Sequence, residues 1–132
     1  MPEFLTKLVV TKVGKYKGRG LWQLNTPLVY SSKILGRTIS VPKDFITDFA
    51  SVPRLPFTWW YAGGLADRAA VVHDYLYNRK VVERKIADKI FLEAMKASGI
   101  SLWHRYAMYA AVRALGWRHY GKGKVIVDVG SN

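Results

Sequence analysis

The side chains best suited to chemistry in this sequence are His73 and Asp88, because each lies on the apolar face of a predicted helix. An apolar helix face rarely carries a titratable group. A buried carboxylate that accepts a hydrogen bond from one imidazole nitrogen fixes the tautomer and leaves the other nitrogen to act as a base. The pair therefore indicates either a general-base site or a hydrogen-bonded polar cluster that serves the fold. The residue types leave both interpretations open.

A helical hairpin would bring these two side chains together. The periodicity predicts helices at about Asp67–Asn78 and Glu83–Ala97, separated by a short polar turn. Helices joined in this way pack antiparallel. Because His73 and Asp88 are equally far from the midpoint of the turn, we expect them to lie opposite one another, within hydrogen-bond distance.

Two neighbours of His73 extend the candidate site. Tyr77 lies one turn later on the same face. Asp74 is rotated by about 100° around the helix axis and should face another direction. There it could hold a divalent cation together with backbone carbonyls.

The loop at Lys43–Phe57 supplies further candidates, which are Asp48, Ser51 and Arg54. These side chains either pin the loop through hydrogen bonds to its own backbone, or Asp48 or Arg54 reaches the His73 site. Ser51 would be the nucleophile of a Ser-His-Asp triad, but it lacks the G-x-S-x-G turn that usually presents such a serine.

The composition predicts one domain with an attraction to anions. The 132 residues are half apolar, contain no cysteine and carry a net charge of +12. Such a chain is long enough for a hydrophobic core and is drawn to nucleic acid, anionic lipid or acidic proteins. No signal peptide or membrane-spanning segment is predicted.

The order of the patterns predicts an α+β fold, in which an N-terminal antiparallel β meander packs on a three-helix unit. Strands are expected at Phe4–Val13, Leu21–Tyr30 and Arg37–Pro42, with Pro27 at an edge or a bulge. Ser101 should cap a third helix from Leu102 to about Trp117. A final strand is possible at Val125–Val129.

Several segments together resemble an uncharacterised family that is common in tailed bacteriophages and prophages. They are TDFASVPR at Thr47–Arg54, HDYLY at His73–Tyr77, Ala87-Asp88 with Met95, and the late residues Tyr109, Val112, Arg113 and Gly116. The resemblance implies a phage protein of the virion, such as a tail component, or of the bacterial host cytoplasm. It implies no established activity.

The hairpin also resembles the catalytic core of phospholipase A2, in which a helix with D-x5-H-D-x2-Y packs against a helix carrying an aspartate. Asp67, His73, Asp74 and Tyr77 have this spacing. The resemblance implies that His73 activates a water, that Asp74 binds calcium, and that Tyr77 and Asp88 orient the base. The calcium loop departs from the superfamily's pattern, because only Ala62-Gly63-Gly64 is available where the glycine-rich motif precedes the helix.

The sequence thus leads to a phage-encoded protein with a phospholipase A2-like site, which would be a calcium-dependent esterase acting on lipid. The alternative is a non-enzymatic virion or tail component that contacts other virion proteins and keeps the hairpin for its fold. Binding to nucleic acid is a third possibility, which rests on charge alone.

Overall fold

A computed structural model describes residues 2–16, 19–48, 66–118 and 120–121 of the chain. Within these residues, short strands are followed by α-helices, so the predicted α+β fold is confirmed. The strands are β1 (Glu3–Phe4), β2 (Val10–Tyr16), β3 (Arg19–Leu24), β4 (Leu28–Ser32), β5 (Arg37–Val41) and β6 (Ile46–Thr47). The helices are α1 (Asp67–Asn78), α2 (Arg84–Ala97) and α3 (Leu102–Leu115), and a 3₁₀ turn (Gly116–Arg118) follows α3.

The described strands form two antiparallel sheets, with the orders β1-β4-β5 and β2-β3-β6. The meander is divided because the predicted strand Leu21–Tyr30 breaks between Leu24 and Leu28, and its two halves enter different sheets. Pro27 lies in this break and not at the predicted edge or bulge. A proline has no N–H to donate to a ladder, so the break is a natural place for it.

One face of the first sheet packs on the helices. Along β4, buried and half-buried residues alternate, as expected for a strand with one covered face. The antiparallel pairing of β4 with β5, from Leu28↔Val41 to Ser32↔Arg37, sets the buried side chains of both strands on that face. The face carries Leu28, Tyr30, Ile39 and Val41, all of which belong to the core.

The helical hairpin has nearly the predicted bounds. The helix α1 ends at Asn78, and Lys80 in the turn has a φ of 47°, which reverses the chain before α2. Both helices contribute fully buried residues to the core. Glu93 of α2 also accepts hydrogen bonds from Tyr30 Oη, Ser32 Oγ and the Ile34 backbone N–H, at 2.8 to 2.9 Å. The hairpin is therefore fixed to the sheet by both apolar and polar contacts.

The helix α3 packs on α2 but buries fewer of its residues than the two hairpin helices do. It begins where predicted, since Ser101 Oγ accepts a hydrogen bond from the His104 backbone N–H. Its buried residues are Met108 and Val112. No helix in the described part of the chain is long and apolar enough to cross a bilayer. The strand predicted at Val125–Val129 lies outside the described residues.

Candidate functional site

The predicted pair is formed in the hairpin. His73 Nε2 of α1 lies 2.7 Å from Asp88 Oδ1 of α2, and the two side chains are 1% and 0% exposed. The ring of His73 packs against those of Tyr77 and Phe91, with centroid separations of 4.1 and 4.7 Å. Because the hydrogen bond and both rings constrain the imidazole, its orientation is fixed by the protein.

Tyr77 shares the same carboxylate oxygen. Its hydroxyl donates to Asp88 Oδ1, and its ring packs edge-on against Tyr120, with centroids 5.3 Å apart. Tyr120 is anchored in turn by donating its hydroxyl to the Val82 carbonyl at 2.7 Å. Burial and the contact with Asp88 raise the pKa of Tyr77, so the phenol stays protonated and remains a donor. Tyr77 therefore holds Asp88 in place.

Two arginines complete the surroundings of Asp88, and the sequence interpretation gave neither of them this role. Arg113 Nη1 of α3 donates to Asp88 Oδ2 at 2.7 Å, and Arg84 Nη1 lies 3.7 Å from the same oxygen. Arg84 also donates to the backbone carbonyls of Val112 and Arg113. One signal was available, since Arg84 precedes Asp88 by four residues on one helix. Arg113 stood out as a charged residue in an otherwise apolar stretch of α3.

The hydrogen bonds keep Asp88 ionised. Burial alone would raise the pKa of this carboxyl, but the hydrogen bonds from His73, Tyr77 and Arg113 outweigh burial and lower the pKa below its usual value. An ionised carboxylate can only accept, so we assign the proton of the neutral imidazole to Nε2. The other nitrogen, Nδ1, is then the one with the basic lone pair. A role for His73 as a general base stays a prediction.

Gly116, at the end of α3, is required for the close approach of Tyr77. A Cβ at this position would lie 2.5 Å from the Tyr77 hydroxyl oxygen. The backbone at Gly116 is helical, with φ of −63° and ψ of −21°, so any residue could adopt it. The need for glycine therefore comes from the packing against Tyr77.

Asp74 faces a different element from His73, as predicted. Its Oδ2 accepts a hydrogen bond of 2.5 Å from Thr47 Oγ1 of β6, and both residues are buried. Thr47 begins the TDFASVPR segment. The contact therefore ties the start of that segment to α1, next to His73.

The described residues around Asp74 do not by themselves make a calcium site. Calcium takes six to eight oxygen ligands. Within residues 2–16, 19–48, 66–118 and 120–121, no three His, Cys, Asp or Glu residues lie together as a possible metal site. The carbonyls of Ala62-Gly63-Gly64, which the resemblance would add, lie outside the described residues. Calcium binding at Asp74 stays a prediction.

The loop candidates have a mixed outcome. Asp48 is half-buried and directly follows Thr47, which places it at the β6 end of the site. Ser51 and Arg54 lie outside the described residues. A part for any of the three in the chemistry stays a prediction.

Comparisons with known proteins give a family and no activity. Neither a curated protein nor a solved structure matches the chain. One family model, described as "Protein of unknown function (DUF1353)", matches residues 22–112. The matched region runs from β3 into α3 and includes His73, Asp74, Tyr77 and Asp88. Because it covers more than half of the 132 residues, the chain belongs to the DUF1353 family.

Proposed function

We propose that this protein is a hydrolase with a phospholipase A2-like site, in which His73 is the general base. The contact that supports the proposal is the 2.7 Å hydrogen bond between His73 Nε2 and Asp88 Oδ1 on antiparallel helices. The Tyr77 hydroxyl on the same oxygen adds to it. These are the residues and the roles that the resemblance implies for orienting the base.

In this proposal, Nδ1 of His73 removes a proton from a water as the water oxygen attacks an ester carbonyl. The bond between the carbonyl carbon and the alcohol oxygen then breaks, and the imidazolium returns the proton to the leaving alkoxide. Asp88 stabilises the transient imidazolium through Nε2–H. Tyr77 and Arg113 hold Asp88 and make no contact with the reacting atoms.

The charge of the chain supports a substrate with an anionic headgroup. Lysine and arginine outnumber acidic residues by 21 to 9. Such an excess raises the local concentration of anionic surfaces around the protein. We therefore propose ester lipids in an anionic bilayer as the substrate class. The resemblance of the motifs supports a phage-encoded protein.

The deciding measurement is release of fatty acid from vesicles of anionic ester phospholipids. His73→Gln should lower the rate by at least about 100-fold, because it removes the base. His104→Gln is a matched control, since His104 lies in α3 and contacts Ser101. Release that is absent from the parent, or equal in the parent and His73→Gln, would contradict the proposal.

The same assay tests whether the reaction depends on calcium. If calcium binds at Asp74, a chelator and Asp74→Asn should each abolish release, and added calcium should restore the chelated parent. Release that is insensitive to chelator would remove calcium from the proposal while leaving His73 as the base.

The second candidate function is a non-enzymatic virion or tail component. It is favoured by the burial of the cluster, since the side chains of His73 and Asp88 are only 1% and 0% exposed. A sealed cluster of this kind can stabilise a fold without any substrate. This candidate predicts that His73→Gln acts through stability alone and that mass spectrometry detects the protein in purified phage particles.

A further inference from the structure

The outward side of α3 is apolar where a surface helix is usually polar. Six residues line this side, and we call them the α3 outer face: Leu102, Trp103, Tyr106, Ala110, Ala114 and Trp117. Trp103 is 76% exposed, Leu102 and Trp117 are each 61% exposed, and Tyr106 is 50% exposed. Large apolar side chains that are grouped and exposed in this way mark an interaction surface.

The charge of the residues in and near α3 indicates the chemistry of the partner. Residues 94–118 contain no aspartate or glutamate, whereas four lysines and arginines fall among them. Two cations lie beside aromatic rings of the face. Arg118 Cζ is 5.7 Å from the centre of the Trp117 ring, and Arg105 Cζ is 5.9 Å from that of Tyr106. A second copy of this chain would bring like charges together, which is unfavourable. The charge therefore favours an anionic partner.

The residue types on the face favour lipid over nucleic acid. Leucine and alanine offer neither stacking nor hydrogen bonds to bases, but they gain from burial at the boundary between headgroups and acyl chains. Tryptophan and tyrosine prefer this same depth. Arginines beside them can bind lipid phosphates.

We propose that the α3 outer face docks on an anionic membrane surface, with Leu102, Trp103 and Trp117 inserted at the headgroup boundary. This inference deepens the proposed function and rests on it for the ester-lipid substrate. The same helix carries Arg113, whose guanidinium contacts Asp88. Docking through α3 would therefore hold the bilayer next to the helix that borders the candidate site.

The test measures binding separately from hydrolysis. Vesicles are made from ether-linked phosphatidylglycerol and phosphatidylcholine, which have no ester to cleave, and binding is measured by flotation at low and at high salt. High salt screens attraction that comes from net charge alone. Trp103→Ser with Trp117→Ser should weaken binding at high salt by about tenfold or more, because insertion of two large rings is lost.

The matched control replaces two exposed apolar residues elsewhere, with no change in charge. Val13 and Ile34 lie in the strand region and are 41% and 47% exposed. Val13→Ser with Ile34→Ser should bind within about twofold of the parent, since scattered exposed residues make no common surface. Circular dichroism should show that both double variants are folded, because all four side chains are exposed.

Three results would overturn the inference. In the first, the double tryptophan variant binds vesicles as the parent does. In the second, light scattering finds a dimer of the parent that this variant loses, which would assign the face to a second copy. In the third, duplex DNA binding falls by the same factor as vesicle binding, which would assign it to nucleic acid. His73→Gln should bind vesicles like the parent, so failed hydrolysis with tryptophan-dependent binding would contradict the proposed function alone.

Discussion

Replacing Asp88 by alanine would remove the acceptor at which three helices meet. The carboxylate accepts hydrogen bonds from His73, Tyr77 and Arg113, and Arg84 lies 3.7 Å away. His73 and Tyr77 are buried, so their donors would lose their acceptor with little access to water. The side chains of Arg113 and Arg84 are 33% and 24% exposed and can regain hydration. The loss should therefore come mainly from the two buried donors.

The expected loss of stability follows from the two buried donors. A buried polar group left without a partner costs about 1–3 kcal/mol, so Asp88→Ala should lower the free energy of unfolding by about 2–6 kcal/mol. A domain of this kind has about 5–15 kcal/mol in total. Glu3→Ala is the matched control, because it removes one exposed carboxylate and changes the net charge equally. It should cost less than about 0.5 kcal/mol.

Urea unfolding followed by circular dichroism measures both variants, and its pH dependence tests the cause. The contacts lower the pKa of Asp88 in the folded state. The stability that its carboxylate contributes is then fully present above the unfolded pKa of about 3.9 and is lost as the pH falls through the lower folded value. The difference between parent and Asp88→Ala should shrink as the pH falls below about 4. Equal free energies of unfolding for Asp88→Ala and Glu3→Ala would refute the reasoning. So would a difference in stability between the parent and Asp88→Ala that grows as the pH falls.

Two further substitutions test neighbouring contacts. Gly116→Ala adds a Cβ 2.5 Å from the Tyr77 hydroxyl and should cost about 1–3 kcal/mol, with a smaller loss in a Tyr77→Phe background. Gly14→Ala, where nothing lies within 4 Å of the added atom, is its control, and equal urea midpoints for the two alanine variants would contradict the packing argument. Thr47→Val removes the donor to Asp74 and should cost about 1–3 kcal/mol in the same assay. Thr47→Ser keeps the hydroxyl and should lose less, so equal losses would show that the hydrogen bond is not the cause.

The hairpin could be predicted from sequence because its determinants are local. Helical periodicity fixed the face on which His73 and Asp88 lie, and the short turn fixed which residues meet. Arg113 could not be placed in the same way. Its contact with Asp88 joins residues 25 positions apart on different helices, and it depends on how α3 packs against α2. Periodicity within one helix carries no information on that packing.

The sheets show the same division between local and distant determinants. Val, Ile and Tyr residues indicated that strands were present, and β5 was predicted to within one residue. The pairing of β1 with β4 and of β3 with β6 joins segments that are far apart in the chain. The continuous strand predicted across Pro27 was wrong. The prediction followed the run of apolar residues and gave too little weight to Pro27, which has no N–H to donate to a ladder.

Asp88 contacts α3 as well as His73. The helix α3 buries Met108 and Val112, which is a small apolar contribution for a helix of its length. Polar contacts also attach it, through Arg113 to Asp88 and through Arg84 of α2 to two carbonyls near its end. Because Asp88 Oδ1 contacts His73 and Oδ2 contacts Arg113, a shift of α3 would pull on the carboxylate that orients the imidazole. The helix that carries the α3 outer face is thus joined to the candidate base through Asp88.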